Sequence, residues 1–262
     1  MVFEDVKAMI AKQLKADPAT ITRETRLVED LKADSANVMV MIMDLEDKFG
    51  IMVEDDQIMK MKTVGDVVDY TVPTGNFGDI LAGYYAKQMG LPVGKLVCAS
   101  NQNNVLTDFL STGTYTAKRE FYKTTSPSMD ILVSSNLERL LYHVTGSDAE
   151  VAGLMKSLNE TGRYTVRPET LKAIQESFDC GWSSEEQVAG EIRARYEKDG
   201  YLCDTHTAVA FHVAAQKKRD GVPMVVLSTA SPFKFPRSVL EALGHTAPEN
   251  DFEAMQALEE AT

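Results

Sequence analysis

The fold is decided at Asp69-Tyr70-Thr71-Val72-Pro73-Thr74-Gly75-Asn76-Phe77-Gly78-Asp79, where one kind of sequence ends and another begins. The residues before this stretch have the apolar spacing of small helices, whereas those after it alternate between strand-like and helix-like patterns. Val72 and Pro73 predict the end of a strand, and the residues after Asp79 predict a helix. Such a glycine turn can cradle a phosphate, because free N–H groups and the helix dipole favour an anion. An ordinary strand-to-helix turn explains the short Gly-x-x-Gly pattern equally well.

Composition limits the class of protein. The 262 residues, 44% of them hydrophobic, are enough for one large domain or two smaller ones. Asp and Glu number 39 against 27 Lys and Arg, and this net charge of -12 argues against nonspecific nucleic-acid binding. No apolar run approaches the roughly 20 residues that span a bilayer, and the N-terminus does not have the pattern of a secretory signal. We therefore predict a cytoplasmic protein with no membrane span and no nucleic-acid partner.

Cysteine and histidine spacing predicts neither a disulfide framework nor a metal site. Cys98, Cys180 and Cys203 are odd in number and lack a CxxC spacing, which predicts free thiols. His206 and His212 are not spaced four apart, so they would not place two imidazoles on one helix face for zinc.

The residues before Val72 predict a small helical bundle. Apolar residues at helical spacing predict a first amphipathic helix that ends before Asp17-Pro18. A second helix is predicted from near Asp34-Ser35 to Phe49-Gly50, and short segments around Asp55–Met61 and Thr63–Tyr70 complete the bundle. Asp34 and Ser35 are residue types that cap helices, so their position has a purely structural explanation as well.

Three segments of this bundle resemble an acyl carrier protein: Leu31-Lys32-Ala33-Asp34-Ser35, Leu45-Glu46-Asp47-Lys48-Phe49-Gly50-Ile51 and Lys62-Thr63-Val64-Gly65-Asp66-Val67-Val68-Asp69-Tyr70. The resemblance implies that Ser35 carries covalent phosphopantetheine for fatty acid biosynthesis. It also implies two kinds of partner, a phosphopantetheinyl transferase and the basic surfaces of fatty-acid synthesis enzymes. Two carboxylates usual in the family are absent after Ser35, so docking is expected to be weakened or redirected. Met41 and Met43 are predicted to fill the core.

From Val72 onward, strand-like and helical sequence patterns alternate. Strand-like runs lie at Lys95–Ser100, Ile131–Val133 and Val222–Thr229. Helical patterns are found at Asn103–Leu110, Leu137–His143, Asp148–Asn159, Arg167–Phe178, Ser184–Asp199 and Pro248–Thr262. Strands interleaved with helices predict a mostly parallel sheet that is covered on both faces.

Five segments here resemble the C-terminal half of threonine synthase: Val72–Ala86, Ala99–Phe109, Thr125–Arg139, Asp204–Ala210 and Leu227–Phe235. The resemblance implies a partial tryptophan-synthase-like fold (pyridoxal-phosphate fold type II) and a pyridoxal phosphate cofactor. It assigns the cofactor phosphate to Gly75, Asn76, Phe77, Gly78 and Asp79, and it places Thr229 opposite the pyridine nitrogen. A neutral hydroxyl there does not stabilise a pyridinium as a carboxylate would.

The same resemblance implies that one catalytic part is missing. The family's Schiff-base lysine lies in a Ser-Phe-Lys-Asp-like motif upstream of the glycine turn, and this sequence has no such motif. Ser177-Phe178-Asp179-Cys180 lacks the lysine, and Lys234 belongs to a distal motif. We therefore expect no intact catalytic set and no activity of this region alone, and the resemblance implies a complementary threonine synthase fragment as a partner.

The sequence thus predicts an α plus α/β protein, with a carrier-like four-helix bundle at residues 1–71 and a threonine-synthase-like region at residues 72–262. The first functional hypothesis is an acyl carrier fused to an incomplete threonine-synthase-like region. The alternative is a pyridoxal-phosphate enzyme that makes threonine and phosphate from phosphohomoserine.

Overall fold

The computed structural model describes residues 2–33, 37, 40, 41 and 67–262. Its helices are α1 (Val2–Leu14), α2 (Gly78–Gln88), α3 (Val105–Thr112), α4 (Leu137–Thr145), α5 (Asp148–Thr161), α6 (Pro168–Ser177), α7 (Glu185–Asp199), α8 (Thr205–Lys217), α9 (Pro236–Ala242) and α10 (Asp251–Ala261). Its strands are β1 (Val68–Pro73), β2 (Val93–Ser100), β3 (Thr114–Thr116), β4 (Arg163–Thr165), β5 (Phe178–Trp182) and β6 (Met224–Val226). Short 3₁₀ turns lie at Pro18–Thr20, Pro127–Met129 and Pro232–Lys234. No helix among the described residues is both long and apolar enough to cross a bilayer.

The chain divides into two compact units. One consists of Met1–Tyr70, Gly83–Gly94 and Lys218–Val225, and the other of Thr71–Ala82, Lys95–Lys217 and Val226–Thr262. The predicted domain boundary between residues 71 and 72 falls inside strand β1. That boundary stays a prediction.

Helix α1 belongs to a small core in the first unit. The core consists of Ile10, Ala11, Ile21, Leu27, Ala33 and Met41, all of them buried. After α1, the Asp17 carboxylate accepts a hydrogen bond of 2.9 Å from the backbone N of Ala19 and so caps the 3₁₀ turn at Pro18–Thr20. The predicted first helix and the core position of Met41 are therefore confirmed.

Residues 68–70 form the beginning of a strand, so the predicted helix Thr63–Tyr70 is wrong at its C-terminal end. The backbone N of Asp69 donates a 2.9 Å hydrogen bond to the carbonyl of Pro223, a long-range contact that a helix would not make. The buried Asp69 carboxylate also pairs with the Arg219 guanidinium at 2.6 Å. Long-range pairing therefore overrides the helical spacing of the local apolar residues.

The main sheet has the strand order β5-β2-β1-β6 and is mostly parallel, as predicted. Strand β2 pairs in parallel with β5, with Leu96 opposite Phe178 and Ser100 opposite Trp182. Five consecutive buried residues, Leu96–Ser100, are typical of a parallel strand that is covered on both faces. All three cysteines are buried and free, and burial raises the pKa of Cys98 and of Cys203 to about 12.

Two local features of the second unit differ from the prediction. The helix predicted over Arg167–Phe178 ends at Ser177, and Phe178–Trp182 is strand β5, for which no element was predicted, because it pairs with β2 although Asp179 interrupts its apolar pattern. Ile131–Val133 is not a strand. Instead the Tyr115 hydroxyl donates to the carbonyl of Leu132 at 3.1 Å and accepts from the backbone N of Ser134 at 2.8 Å, which holds this segment as a loop.

Candidate cofactor site at the glycine turn

The predicted glycine turn is present between the end of β1 and the start of α2. At its entry, the backbone N of Thr74 donates to the carbonyl of Ala99 at 2.8 Å, which ties the turn to β2. The Asn76 side-chain oxygen accepts a 2.9 Å hydrogen bond from the backbone N of Gly78 at the first residue of α2. The carbonyl of Asn76 accepts two more, from the backbone N and the side-chain N of Asn136, at 3.1 and 2.9 Å. These bonds fix the turn from both sides.

Gly75 is required by close packing. A Cβ atom at this position would lie 2.9 Å from the Cα of Met129 and 3.1 Å from the carbonyl oxygen of Ser128. Both neighbours are backbone atoms, so they cannot rotate away as a side-chain tip would. The glycine therefore allows the turn and the Pro127–Met129 segment to approach each other closely.

Phe77 anchors the turn instead of facing the ligand space. Its backbone has a φ of 65°, a left-handed conformation that is uncommon for residues other than glycine. Its side chain is fully buried, and its ring centroid lies 5.5 Å from that of Phe178. Packing of the aromatic ring offsets the backbone strain.

A cavity of about 180 Å³ adjoins the turn. It is lined by Pro73, Gly75, Asn76, Asp79, Ser128, Met129, His206, Thr229, Ala230 and Lys234. Four of the residues predicted to hold pyridoxal phosphate, Gly75, Asn76, Asp79 and Thr229, are thus brought together, whereas Phe77 and Gly78 do not line the cavity. Ser35 lies outside the described residues.

Ser128, His206 and Lys234 line the same cavity, although the sequence predicts no cofactor role for them. Each lies inside a segment that carries the threonine synthase resemblance, and that membership is the signal that could have found them. The local patterns around them do not identify a site, since they contain neither metal-ligand spacing nor a nucleophile motif. Across the part of the chain that the structure describes, no three His, Cys, Asp or Glu side chains group as metal ligands.

The wall that carries Ser128 is held by a polar network around Asp130. One oxygen of its carboxylate accepts from the side chains of Asn101 and Asn103 at 2.8 Å each and from Thr124 at 2.7 Å. The other accepts from the backbone N of Thr124 at 3.0 Å. Four donors therefore satisfy the carboxylate and clamp the Pro127–Met129 turn to the end of β2.

His206 is oriented by Asp204, whose side chain is fully buried. The Nδ1 of His206 lies 3.0 Å from Oδ1 of Asp204, and the backbone N of His206 donates to the same oxygen at 2.8 Å. The Thr207 hydroxyl donates to the other carboxylate oxygen. Burial alone would raise the pKa of Asp204, but the hydrogen bonds from His206 and Thr207 lower its pKa overall.

These features fit a phosphate-bearing cofactor such as pyridoxal phosphate. Gly75, whose close approach to the Pro127–Met129 segment shapes the turn, lines the cavity, and so does the basic residue Lys234. The Nε2 atom of His206 is buried and has no hydrogen-bond partner within the described residues, so it is a polar atom that a ligand can satisfy.

Family models match two separate parts of the chain. Residues 4–71 match the phosphopantetheine attachment site family, and residues 207–262 match the family described as threonine synthase, C-terminal.

Curated relatives extend the second similarity over most of the chain. Human threonine synthase-like 1 is 42% identical over 181 residues, which are 68% of this chain and 24% of the relative. Threonine synthase of Pseudomonas aeruginosa is 43% identical over 177 residues, which are 67% of this chain and 38% of the relative. The chain therefore spans between about a quarter and two fifths of these relatives.

Solved structures give the same result for the fold. The pyridoxal-phosphate-bound threonine synthase of Brucella melitensis is 41% identical with a TM-score of 0.68, covering 85% of this chain and 46% of that one. Yeast threonine synthase is 31% identical with a TM-score of 0.64, covering 74% and 46%. The chain therefore carries a phosphopantetheine attachment-site match at residues 4–71 and is homologous to threonine synthases over about two thirds of its length.

Proposed function

We propose that residues 72–262 hold pyridoxal phosphate as part of a threonine-synthase-like site and that Ser35 carries phosphopantetheine. The pyridoxal phosphate part of this proposal rests on the cavity. Two distant segments of the chain line it, one with Gly75, Asn76 and Asp79 and the other with Thr229. The second half is supported by the family match over residues 4–71, which contains Ser35.

Within this proposal, the glycine turn holds the phosphate through its backbone. The N-terminus of α2 favours an anion through the helix dipole, a contribution of about 0.3–1 kcal/mol when exposed. The Asp79 carboxylate would repel a phosphate, so Asp79 can contribute only through its backbone N–H. Thr229 offers a neutral hydroxyl to the pyridine nitrogen, and Phe77 acts as the buried anchor of the turn. Pyridoxal phosphate, when bound, supplies an electron sink for carbanion chemistry.

A binding experiment tests the proposed pyridoxal phosphate site directly. The chain is titrated with pyridoxal phosphate and, in parallel, with pyridoxal, which lacks the phosphate, and binding is followed by the absorbance of the bound cofactor. We expect saturable binding that depends on the phosphate. Equal binding of the two compounds, or none of either, contradicts the assignment of the turn.

The second candidate function is threonine synthase activity, the conversion of phosphohomoserine to threonine and phosphate. It is favoured by the 41% identity to a pyridoxal-phosphate-bound threonine synthase. The sequence has no Ser-Phe-Lys-Asp-like motif, so this activity requires either another lysine or a complementary fragment. Borohydride reduction followed by intact-mass measurement separates the two candidates. We expect no covalent cofactor adduct, whereas an adduct together with phosphate release from phosphohomoserine establishes the enzyme.

For the carrier half, we propose that Ser35 is modified by a phosphopantetheinyl transferase and that the loaded chain serves fatty acid biosynthesis in the cytoplasm. Its partners would be basic surfaces of the synthesis enzymes. Intact-mass measurement after incubation with coenzyme A and a phosphopantetheinyl transferase should show the gain of one phosphopantetheine group. An unchanged mass contradicts the carrier role.

A further inference from the structure

The pocket contains an unsatisfied polar atom that the proposed roles do not use. The His206 side chain is 4% exposed, lines the cavity and has an Nε2 atom without a hydrogen-bond partner among the described residues. A buried polar atom without a partner is destabilising, which favours a ligand that satisfies it.

Asp204 determines which atom of the ring is available. A carboxylate only accepts hydrogen bonds, so the 3.0 Å contact between Oδ1 of Asp204 and Nδ1 of His206 assigns a proton to Nδ1. Nε2 then carries a lone pair in the neutral ring and an N–H after the ring takes up a proton. It can therefore accept from a ligand hydroxyl or donate to a ligand oxygen.

Lys234 is placed beside His206 by a shared neighbour. The Phe235 ring lies 4.7 Å, centroid to centroid, from the His206 ring. The Lys234 Nζ lies 5.4 Å from the centroid of the same Phe235 ring, within the range of a cation–π contact. Among the described residues no salt bridge to Lys234 is found, although Asp79 lines the same cavity. Lys234 and His206 thus line one cavity and share Phe235 as a neighbour.

We propose that His206 and Lys234 form an anion subsite of this pocket that takes a phosphate group. Lys234 supplies positive charge, and Nε2 of His206 shares one proton with a phosphate oxygen. The inference rests on the proposed function and deepens it, because His206 and Lys234 line the same cavity as the glycine turn and would hold the same phosphate group together with it.

Histidine NMR tests the subsite with a readout other than activity. The chain is labelled with ¹⁵N-histidine, and the His206 signal is assigned by its loss in His206→Gln. Inorganic phosphate, pyridoxal phosphate and pyridoxal are then added separately. We expect the Nε2 signal of His206 to shift with the two phosphate-bearing probes and not with pyridoxal. His212 is the internal control, since it lies on the same helix but does not line the cavity.

Variants measure the contribution of each group. His206→Gln and Lys234→Met should each weaken the binding of both phosphate-bearing probes on the order of tenfold, in keeping with the loss of one charge-assisted hydrogen bond. His212→Gln should leave both affinities unchanged. Circular dichroism melts show whether each variant is folded.

The outcomes separate this inference from the proposed function. If pyridoxal phosphate binds and both pocket variants keep wild-type affinity while folded, the subsite is overturned and the cofactor proposal stands. If pyridoxal phosphate does not bind but inorganic phosphate shifts His206, the subsite stands and the cofactor proposal fails. A His206 signal that responds to neither phosphate-bearing probe overturns the subsite.

Discussion

The two proposed attachment points for cofactors differ in how the chain builds them. At Ser35 the chemistry needs a single hydroxyl, and the motif that marks it is a run of neighbours in the chain. The pocket at the glycine turn collects Gly75, Ser128, His206 and Lys234 from segments far apart in the sequence. A site of the first kind depends on one side chain, whereas one of the second kind depends on how several backbones pack.

Loss of the Ser35 hydroxyl should have the largest effect. Ser35→Ala is expected to abolish the mass gain from phosphopantetheinyl transfer completely, because no other atom can take its place as the nucleophile. Binding of pyridoxal phosphate should remain at the wild-type level. Thr20→Ala removes a hydroxyl elsewhere in the same region and should leave modification intact. If cofactor binding falls together with modification in Ser35→Ala, the two sites are not independent.

The next largest effect is expected at Gly75. Gly75→Ala places a Cβ against the Met129 and Ser128 backbones, so pyridoxal phosphate should bind at least tenfold more weakly and stability should fall by about 1–3 kcal/mol. Titration and urea unfolding measure the two effects. Gly153→Ala is the matched control, because nothing lies within 4 Å of its added Cβ and alanine favours a helix interior by up to about 1 kcal/mol. Equal effects of the two substitutions would show that packing at the turn does not shape the pocket.

A smaller, indirect effect on cofactor affinity is expected from Asp130, whose hydrogen bonds hold the segment that contains Ser128. Asp130→Ala leaves the donors of Asn101, Asn103 and Thr124 without their acceptor, which should cost about 1–3 kcal/mol of stability. Cofactor affinity should fall severalfold, since Ser128 is no longer held. Asp199→Ala removes an exposed partner of Arg195 and should change stability by less than about 1 kcal/mol. Asp130→Ala with full stability but reduced affinity would instead indicate direct ligand contact.

The smallest effect concerns acid stability. The pKa of Asp204 is lowered in the folded chain, so its stabilising contribution is complete above the ordinary value of 3.8 and is lost as the pH falls through the lower, folded pKa. Urea unfolding between about pH 5 and pH 2 should therefore show a loss of stability that Asp204→Asn reduces. Identical pH slopes in the two proteins would contradict the assignment.

The sequence predicts those helices, strands and turns whose conformation depends on residues close together in the chain. The first helix, strand β2 and the glycine turn were predicted because their apolar spacing and turn residues act over short distances. The sequence alone failed where a partner decides the conformation. Val68–Tyr70 and Phe178–Trp182 become strands through pairing with distant segments, and Ile131–Val133 is held as a loop by Tyr115.

The same division holds for function. By itself, the sequence determined the family resemblance, the Ser35 motif and the residues of the glycine turn, since these are contiguous patterns that need no coordinates. Only the tertiary structure decided that Phe77 is an anchor and that His206 and Lys234 join the pocket. The reason is physical: a cavity is defined by which side chains long-range packing brings together, and a buried atom such as Nε2 of His206 is recognisable as unsatisfied only after its neighbours are in place.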